Sequence, residues 1–363
     1  MNRGTGRTGR IRMSAALAAL VLGGSLLTGC SVVRAAGTWN DPRHPIAGAA
    51  ASGGATSSTA TAAAQPSAAA SASEPAGPAY DVSSLLHPSR KYLGLEIAGA
   101  PDSLAPAKQF ASWVGAKPNI IGQYVAWGSS FDAAAAQNAW SYGALDFVVW
   151  EPWDTTTAKI AAGDSDSYIE TFAAAVRALN VPIVLSFGHE FNGNWYPWGT
   201  TGSTAAQFVA AWRHVHDLFA QAGATNVVWV WDPNDVYPVP DVNLADYYPG
   251  DSYVDWVGVT GYWTQPGPNT YSTLYLPTLE EIRQFTQKPF LIAETAVAPG
   301  SAESDSLTDL FQAVDQHSDI LGFVWYDYDK GGDWRIENRP SLEAQFQDDL
   351  ASGTFGFDVS EVK

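Results

Sequence analysis

From Tyr80 onward, short apolar runs rich in β-branched and aromatic residues alternate with longer alanine-rich stretches. Most of these runs are apolar at consecutive positions, which is typical of strands buried on both faces. The pattern predicts eight strands: Tyr92–Ile97, Ile120–Trp127, Asp146–Trp150, Ile183–Phe187, Asn226–Trp231, Trp256–Thr260, Phe290–Ala293 and Leu321–Trp325.

Apolar residues at helical spacing predict helices between these strands. The predicted helices are Ser167–Leu179, Thr204–Ala222, Leu274–Phe285 and Ser306–His317, with Thr204 as an N-cap and Gly223 as a stop signal. Strands that alternate with helices in this number predict an α/β fold of the (β/α)₈ TIM-barrel type over residues 80–363. The alternative is an open doubly wound sheet, but no glycine-rich phosphate loop follows the first strand.

The N-terminus reads as an export signal. Arginines precede an apolar run from Met13 to Leu27, and the run ends in Leu27-Thr28-Gly29-Cys30, which resembles a bacterial lipobox. We therefore expect residues 1–30 to be a lipoprotein signal peptide, with Cys30 as the lipidation site. The expected location is extracellular, anchored to the cell membrane. The alternative is ordinary signal cleavage that leaves Cys30 without a role.

Residues 31–79 are mostly Ala, Ser, Thr, Gly and Pro. Such a composition buries too little apolar area to offset the entropy of ordering. It predicts a disordered linker between the anchor and a single catalytic domain. A polyalanine helix is the competing interpretation, and the Gly, Ser and Pro content opposes it.

Composition narrows the range of partners. The chain carries 37 acidic and 19 basic residues, a formal net charge of −18, and an acidic surface repels nucleic acid. The chain has a single cysteine, which excludes a disulfide framework within one chain and a cysteine-based zinc site. We expect a neutral substrate and a monomer that meets the membrane through its lipid anchor alone.

Two glutamates stand out because each follows an apolar strand. Glu190 comes shortly after the fourth predicted strand, and Glu294 directly after the seventh. In a (β/α)₈ barrel both positions lie at the catalytic end. A charge at the end of an apolar strand costs free energy unless it is paired or functional. A pair of carboxyl groups is what glycoside hydrolysis requires. The alternative is that each glutamate is a structural ion-pair partner.

The stretch around Glu190 carries a longer signature. It reads Gly-His-Glu-Phe-Asn-Gly-Asn-Trp-Tyr-Pro-Trp-Gly over residues 188–199. This stretch resembles the acid/base motif of glycoside hydrolase family 26, the β-mannanase family. The resemblance extends roughly from Tyr92 to Pro340, with the strands in the expected order.

The resemblance implies roles for individual residues. Glu190 would be the acid/base and Glu294 the nucleophile of a retaining mechanism. His189 would bind substrate, Tyr262 would hydrogen-bond the nucleophile, and Trp325 would be the platform for a sugar ring. No cofactor and no metal are implied.

Two positions depart from the usual family pattern. Many members have Arg three positions before the His, where this chain has Ser186, and Phe191 replaces the commoner Met. The chemistry survives both changes, but Ser186 weakens the transfer of substrate specificity. Glu151, a further site candidate, lies in the segment Trp150–Trp153, which resembles a subset of members that is not confined to mannanases. β-1,3-1,4-Glucanases and β-1,3-xylanases also occur in this family.

Further aromatic and amide residues near the strand ends are candidate substrate contacts, because sugar rings stack on aromatic faces. We predict substrate binding by Trp127, Trp153, Trp195, Trp198, Trp263 and Asn234. Trp150, Trp231 and Trp334 are further platform candidates, and core packing is the alternative for each Trp. Asp232, Asp327 and Asp329 either bind hydroxyls or cap loops.

His189 and Glu190 also invite a zinc-protease interpretation. That motif needs a second His four residues after the first, and position 193 is Gly.

The sequence therefore predicts a retaining endo-β-glycanase that acts on a polysaccharide or oligosaccharide, with β-1,4-mannan first among the substrates. The alternatives are a β-1,3-1,4-glucanase or β-1,3-xylanase of the same family, or a non-catalytic carbohydrate-binding lipoprotein.

Overall fold

The computed structural model describes residues 77–264 and 266–362. The predicted signal peptide, Cys30 and almost all of the predicted linker lie outside the described residues. In the described part of the chain, no helix has the length and apolar character needed to cross a membrane.

The described residues contain a closed barrel of parallel strands in sequence order. Strand β8 pairs with β1 through Tyr92↔Gly322 to Ile97↔Asp327, which closes the sheet and excludes the open doubly wound alternative. The strands are β1 (Tyr92–Ile97), β2 (Ile120–Ala126), β3 (Leu145–Glu151), β4 (Ile183–Phe187), β5 (Val227–Trp231), β6 (Trp256–Thr260), β7 (Phe290–Thr295) and β8 (Ile320–Asp327). The predicted (β/α)₈ barrel is confirmed.

Helices follow most strands. They are α1 (Ser83–Leu86), α2 (Ala105–Val114), α3 (Ala133–Tyr142), α4 (Thr157–Ala161), α5 (Asp166–Leu179), α6 (Ala205–Gln221), α7 (Tyr271–Leu274), α8 (Leu276–Ile282), α9 (Glu303–Gln316) and α10 (Pro340–Leu350).

Local sequence explains where several helices start and stop. Thr204 caps α6 through a reciprocal capping box with Gln207, and Gly223 follows the helix with φ of 68°. The predicted single helix Leu274–Phe285 was wrong, because the structure has α7 and α8 there. Pro277 lies at the start of α8, where its missing N–H and its ring interrupt a continuous helix.

Strand residues alternate between two packed layers. On β1, Tyr92 belongs to a cluster made largely of inward-facing strand residues, whereas Leu93 and Leu95 pack with helix residues such as Phe110. The alternation continues to Glu96, which is fully buried. This two-residue period decides which side chain at each strand end faces the barrel mouth.

Candidate active site

Glu190 lies just beyond β4 in a backbone turn. Gly188 has φ of 60° and Glu190 has φ of 51°, the left-handed region that costs a non-glycine residue free energy. The Glu190 amide donates to the Asp232 carbonyl at 2.7 Å, which ties this turn to the end of β5. The surrounding hydrogen bonds therefore hold Glu190 in an unfavourable conformation, as is common at functional sites.

Both carboxyl oxygens of Glu190 receive N–H donors. Trp195 Nε1 donates to Oε2 at 2.7 Å, and Asn234 Nδ2 donates to Oε1. Asn234 is itself fixed by Asn192, which donates to the Asn234 carbonyl at 2.8 Å and accepts from its amide at 2.8 Å. The carboxyl group of Glu190 is thus held by two side chains, and Asn192 orders one of them, Asn234.

Glu294 lies within β7 and receives O–H donors instead. The Tyr262 hydroxyl donates to Oε1, and the Tyr124 hydroxyl hydrogen-bonds Oε2. Burial raises the pKa of both tyrosines well above the ordinary value, and the charge of Glu294 adds to the shift, so both phenols keep their protons.

Electrostatic coupling places both glutamates in one site. Burial raises the pKa of Asp232 well above its ordinary value, and the charges of Glu294 and then Glu190 raise it further. The charges of Glu294 and Glu190 also add to the burial that raises the pKa of Tyr262. The two glutamates therefore act on the same groups, Asp232 and Tyr262, across the barrel mouth.

His189 is a buried, neutral imidazole. Burial lowers its pKa to about 3. Its Nε2 lies 3.3 Å from the Tyr196 hydroxyl, and its backbone carbonyl accepts from Trp198 Nε1 at 2.7 Å. A neutral ring can hydrogen-bond a sugar hydroxyl without adding a positive charge beside the carboxyl groups.

Three of the predicted sugar platforms keep part of their surface open. Trp195, Trp127 and Trp153 are half-buried. Trp153 Nε1 donates to Glu151 Oε2 at 3.1 Å, and Trp127 packs on the buried Trp150 at 4.4 Å between ring centroids. These rings can offer a face to a sugar, unlike those buried in the core.

The prediction that Trp325 forms a platform for a sugar ring needs correction. Its side chain is fully buried, packs edge-on against Phe346 of α10 and donates to Asp327 at 3.3 Å. Strand alternation turns Trp325 towards the helices and the next residue, Tyr326, towards the mouth. Burial raises the pKa of Tyr326, and the charges of Glu294, Glu96 and Glu190 raise it further, which supports this placement.

Trp198 and Trp263 need the same correction, because both are 1% exposed. Trp198 stacks on Tyr196 at 4.5 Å, so its role is to support the His189 loop. Trp263 packs against Tyr275 in the core. Trp150 and Trp231 are also fully buried, and core packing is the correct interpretation for both.

The remaining acidic candidates at β8 are structural. Asp327 accepts from the Ile336 amide at 2.7 Å, and Asp329 pairs with Arg335 at 3.3 Å. Trp334 packs against Tyr262 at 4.7 Å between ring centroids, which brings it beside the Glu294 network. Within residues 77–264 and 266–362, no cluster of His, Cys, Asp and Glu is arranged to hold a metal ion.

Sequence reasoning missed Glu96, Tyr124 and Tyr326. Glu96 is a lone acid in the apolar strand β1, so the rule that selected Glu294 also applies to it. Tyr124 and Tyr326 give no such signal, because a tyrosine in a strand is ordinary. Their roles follow from barrel register, in which Glu96 pairs with Gly122 on one side and Tyr326 on the other.

Comparison with known families agrees with this geometry. The sequence model of glycosyl hydrolase family 26 matches residues 152–351, more than half of the chain. The chain belongs to glycosyl hydrolase family 26. The family match includes Glu190 and Glu294, together with His189, Asn234 and Tyr262. It begins after β1 and β2, which contribute Glu96 and Tyr124.

The relatives of this family 26 chain include one protein named as an endoglucanase and others named as mannosidases that act on mannan. Endoglucanase H of Acetivibrio thermocellus is 30% identical over 278 residues, which cover 72% of this chain and 31% of that protein. Mannan endo-1,4-beta-mannosidase A and B of Caldalkalibacillus mannanilyticus is 29% identical over 163 residues, covering 41% and 30%. The chain thus spans about a third of the length of these relatives.

A solved structure shares the fold. The modular endo-beta-1,4-mannanase from Cellulomonas fimi, of family 26, superposes with a TM-score of 0.60 at 18% identity, covering 77% of this chain and 75% of that chain. At this identity the likeness supports the barrel and carries nothing about substrate.

Proposed function

We propose that this protein is a retaining endo-β-glycanase. Glu190 protonates the glycosidic oxygen while Glu294 attacks the anomeric carbon, and a covalent glycosyl-enzyme forms. Glu190 then takes a proton from water, which attacks the same carbon and releases the sugar with its original configuration. The observation that carries this proposal is the pairing of two carboxyl groups in one mouth with different sets of donors.

The surrounding residues suit these steps. Two phenol donors stabilise the anionic form of Glu294, the form that attacks. Trp195 and Asn234 orient the carboxyl group of Glu190, which must alternate between acid and base. Half-buried Trp127, Trp153 and Trp195 provide faces for neutral sugar rings, and the acidic surface disfavours polyanionic substrates.

The substrate that we propose first is β-1,4-mannan. Several relatives are named mannan endo-1,4-beta-mannosidase. A β-glucan is the second candidate, because Endoglucanase H matches a larger share of this chain than those relatives do.

The test is product analysis on mannans, mixed-linkage glucans and xylans with the wild type, Glu190→Ala and Glu294→Ala. We expect oligosaccharides of the original anomeric configuration from the wild type and severe loss in both variants. Full activity in either variant, or an inverted product, contradicts the mechanism. Binding across the panel without turnover favours the carbohydrate-binding alternative.

We further propose export and anchoring through residues 1–30, a flexible tether over residues 31–79 and a monomeric catalytic domain. The lipobox-like sequence that ends in Cys30 supports the anchor, and the low-complexity composition supports the tether. Labelling with a radioactive fatty acid should mark the wild type and leave Cys30→Ser unlabelled. Light scattering of residues 80–363 should give the monomer mass. Unlabelled wild type, or a dimer mass, contradicts the corresponding proposal.

A further inference from the structure

Behind Glu294 lies a third carboxyl group that the proposed mechanism does not use. Glu96 on β1 is fully buried, and its register partner on β2 is Gly122. A Cβ atom at position 122 would lie 2.6 Å from Glu96 Oε1, so a side chain there would occupy the space of the carboxyl group. The absence of a side chain at Gly122 thus leaves the space that the carboxyl group of Glu96 occupies.

Tyr124 joins Glu96 to Glu294. Its hydroxyl lies 2.7 Å from Glu96 Oε2 and also hydrogen-bonds Glu294 Oε2. A phenol has one proton, so it can donate to one of the two carboxyl groups at a time. If both carboxyl groups were ionised, the second contact would set two lone pairs against each other in a buried site. One of the two carboxyl groups must therefore carry a proton.

The hydrogen-bond partners assign that proton to Glu96. Glu294 has a second donor in Tyr262, which stabilises its charge. Glu96 Oε1 is buried and has no partner among the described residues. A bare carboxylate oxygen in such a place is costly, whereas the carbonyl oxygen of a neutral acid costs less.

The charges around Glu96 favour the same assignment. Burial raises the pKa of Glu96 well above its ordinary value, and the charge of Glu294 on β7 raises it further. The hydrogen bond with Tyr124 lowers this pKa, and the charges of Asp232, just after β5, and Glu151 on β3 raise it. Tyr124 on β2 and Tyr326 on β8 are the phenols that face it, and both keep their protons because burial raises their pKa. Among the described groups that shift Glu96, none is a cation.

We propose that Glu96 is held as the neutral acid and donates to Tyr124, so that Tyr124 donates in one direction to Glu294. Glu96 is then a positioning residue that acts on the nucleophile through Tyr124. This series of hydrogen bonds, from Glu96 through Tyr124 to Glu294, keeps the phenol O–H pointing at the nucleophile. Because Glu96 is neutral, it adds no second negative charge beside Glu294. The effect on turnover rests on the proposed glycosidase function, whereas the protonation state of Glu96 does not.

Infrared difference spectroscopy tests the protonation state without turnover. The carbonyl band of a protonated carboxylic acid lies apart from the bands of carboxylates. At near-neutral pH, the wild type minus Glu96→Gln spectrum should contain one such band, and Tyr124→Phe should shift it because the acid loses its acceptor. The band that is lost in Asp146→Asn, a buried acid elsewhere in the barrel, should not move in Tyr124→Phe. Absence of a protonated-acid band from Glu96 overturns the proposal.

Kinetic measurements test whether Glu96 donates a hydrogen bond to Tyr124. Glu96→Gln keeps an N–H that can donate to Tyr124, whereas Glu96→Leu cannot donate. We expect Glu96→Leu to lower kcat by about tenfold with little change in KM, and Glu96→Gln to recover most of that loss. Equal losses in the two variants contradict a donating role. If Glu96→Leu fails to fold, the spectrum and Glu96→Gln still decide the matter.

The pH profile separates a neutral from an ionised Glu96. If Glu96 were ionised, Glu96→Gln would remove a negative charge beside Glu294 and move the acid limb of kcat/KM to lower pH. The neutral acid predicts an unmoved acid limb in Glu96→Gln and an upward shift in Tyr124→Phe, which removes a donor from Glu294. Complete inactivity of the wild type on every glycan defeats the proposed function, and the infrared result then judges Glu96 independently.

Discussion

The surroundings of Glu190 and Glu294 are built in different ways. Glu190 lies in a loop whose left-handed backbone is tied to the Asp232 carbonyl and whose carboxyl group receives N–H donors. Glu294 lies in a strand held by the barrel ladder and receives phenol donors from Tyr262, just beyond β6, and from Tyr124 on β2. The loop network combines neighbours in sequence with residues just after β5, whereas the strand site depends on barrel closure.

This contrast matches the different roles that we propose for the two groups. A nucleophile has to be ionised before it attacks, and charge-assisted phenol donors favour that state. An acid/base has to gain and lose a proton in each turnover, so its orientation matters more than a fixed charge.

Removal of the carboxyl groups should give the largest effects and should separate their roles. We expect Glu294→Ala to lose activity on the order of 10⁴-fold or more, because the covalent intermediate can no longer form. Glu190→Ala should lose about 10²- to 10⁴-fold on polysaccharide. The Glu190→Ala loss should shrink on aryl glycosides whose leaving group needs no proton.

Added azide sharpens this test because it can enter the space that each Ala leaves. In Glu190→Ala, azide should attack the glycosyl-enzyme and give a product of retained configuration. In Glu294→Ala, it should attack the substrate directly and give the inverted product. Nuclear magnetic resonance gives the anomeric configuration of each glycosyl azide. The opposite pattern would mean that Glu190 is the nucleophile and Glu294 the acid/base.

The phenols of the Glu294 site should come next in size. Tyr262→Phe and Tyr124→Phe each remove a hydrogen bond to a charged group, so kcat should fall by about 10- to 100-fold. Their effects should be non-additive, because both donors serve one carboxylate. Tyr80→Phe, at the opposite end of the barrel, is the matched control, and a loss as large as that of Tyr262→Phe would point to a general effect of losing a phenol.

The N–H donors of the Glu190 site should matter less. Trp195→Phe keeps an aromatic face and removes the N–H that bonds Glu190 Oε2 at 2.7 Å. We expect a fall in kcat of about tenfold. Trp127→Phe, which breaks a weaker bond to Ser165 at 3.3 Å, should cost less. Equal losses in both variants would assign the effect to ring shape instead of the bond to Glu190.

A buried carboxyl group outside the site shows what burial does with a single donor. Asp146 on β3 accepts from Gln123 Nε2 at 2.8 Å, and burial raises its pKa from 3.8 to about 7. The folded protein keeps this proton where the unfolded chain has lost it. Its contribution to stability is therefore present below about pH 4 and is lost as pH rises to about 7.

Asp146→Asn should remove the loss of stability that the wild type shows as pH rises to about 7. Urea unfolding should show the variant stabler than the wild type above neutral pH, by up to about 4 kcal/mol, and similar to it in acid. Catalysis should be unchanged. The exposed control Asp164→Asn should leave the pH dependence as it is, and a wild-type slope in Asp146→Asn would contradict the assignment.

The sequence predicts the barrel well because strand order and apolar runs are local signals. The bounds of β1, β4 and β6 agree fully with the structure, and closure follows from their number. The helix after β6 was harder to predict, because Pro277 divides an otherwise continuous periodic stretch into α7 and α8.

The site is predictable where one segment builds it. The stretch around Glu190 carries Trp195 and Asn192 within a few residues, whereas Asn234, just after β5, comes from elsewhere in the chain to its carboxyl group. The mouth around Glu294 is assembled from β1, β2, β6 and β8, so Glu96 and Tyr124 escape a local motif. Trp325 was misassigned because a shift of one residue in a strand reverses the direction of the side chain.

Trapping the covalent intermediate would identify the nucleophile itself. A 2-deoxy-2-fluoro glycoside with an activated leaving group slows hydrolysis of the glycosyl-enzyme, because fluorine destabilises the positively charged transition state. Peptide mass spectrometry should then find one sugar attached to Glu294, and none in Glu294→Ala. A label on Glu190, or fully active enzyme that never takes a label and yields an inverted product, would rule out Glu294 as the nucleophile.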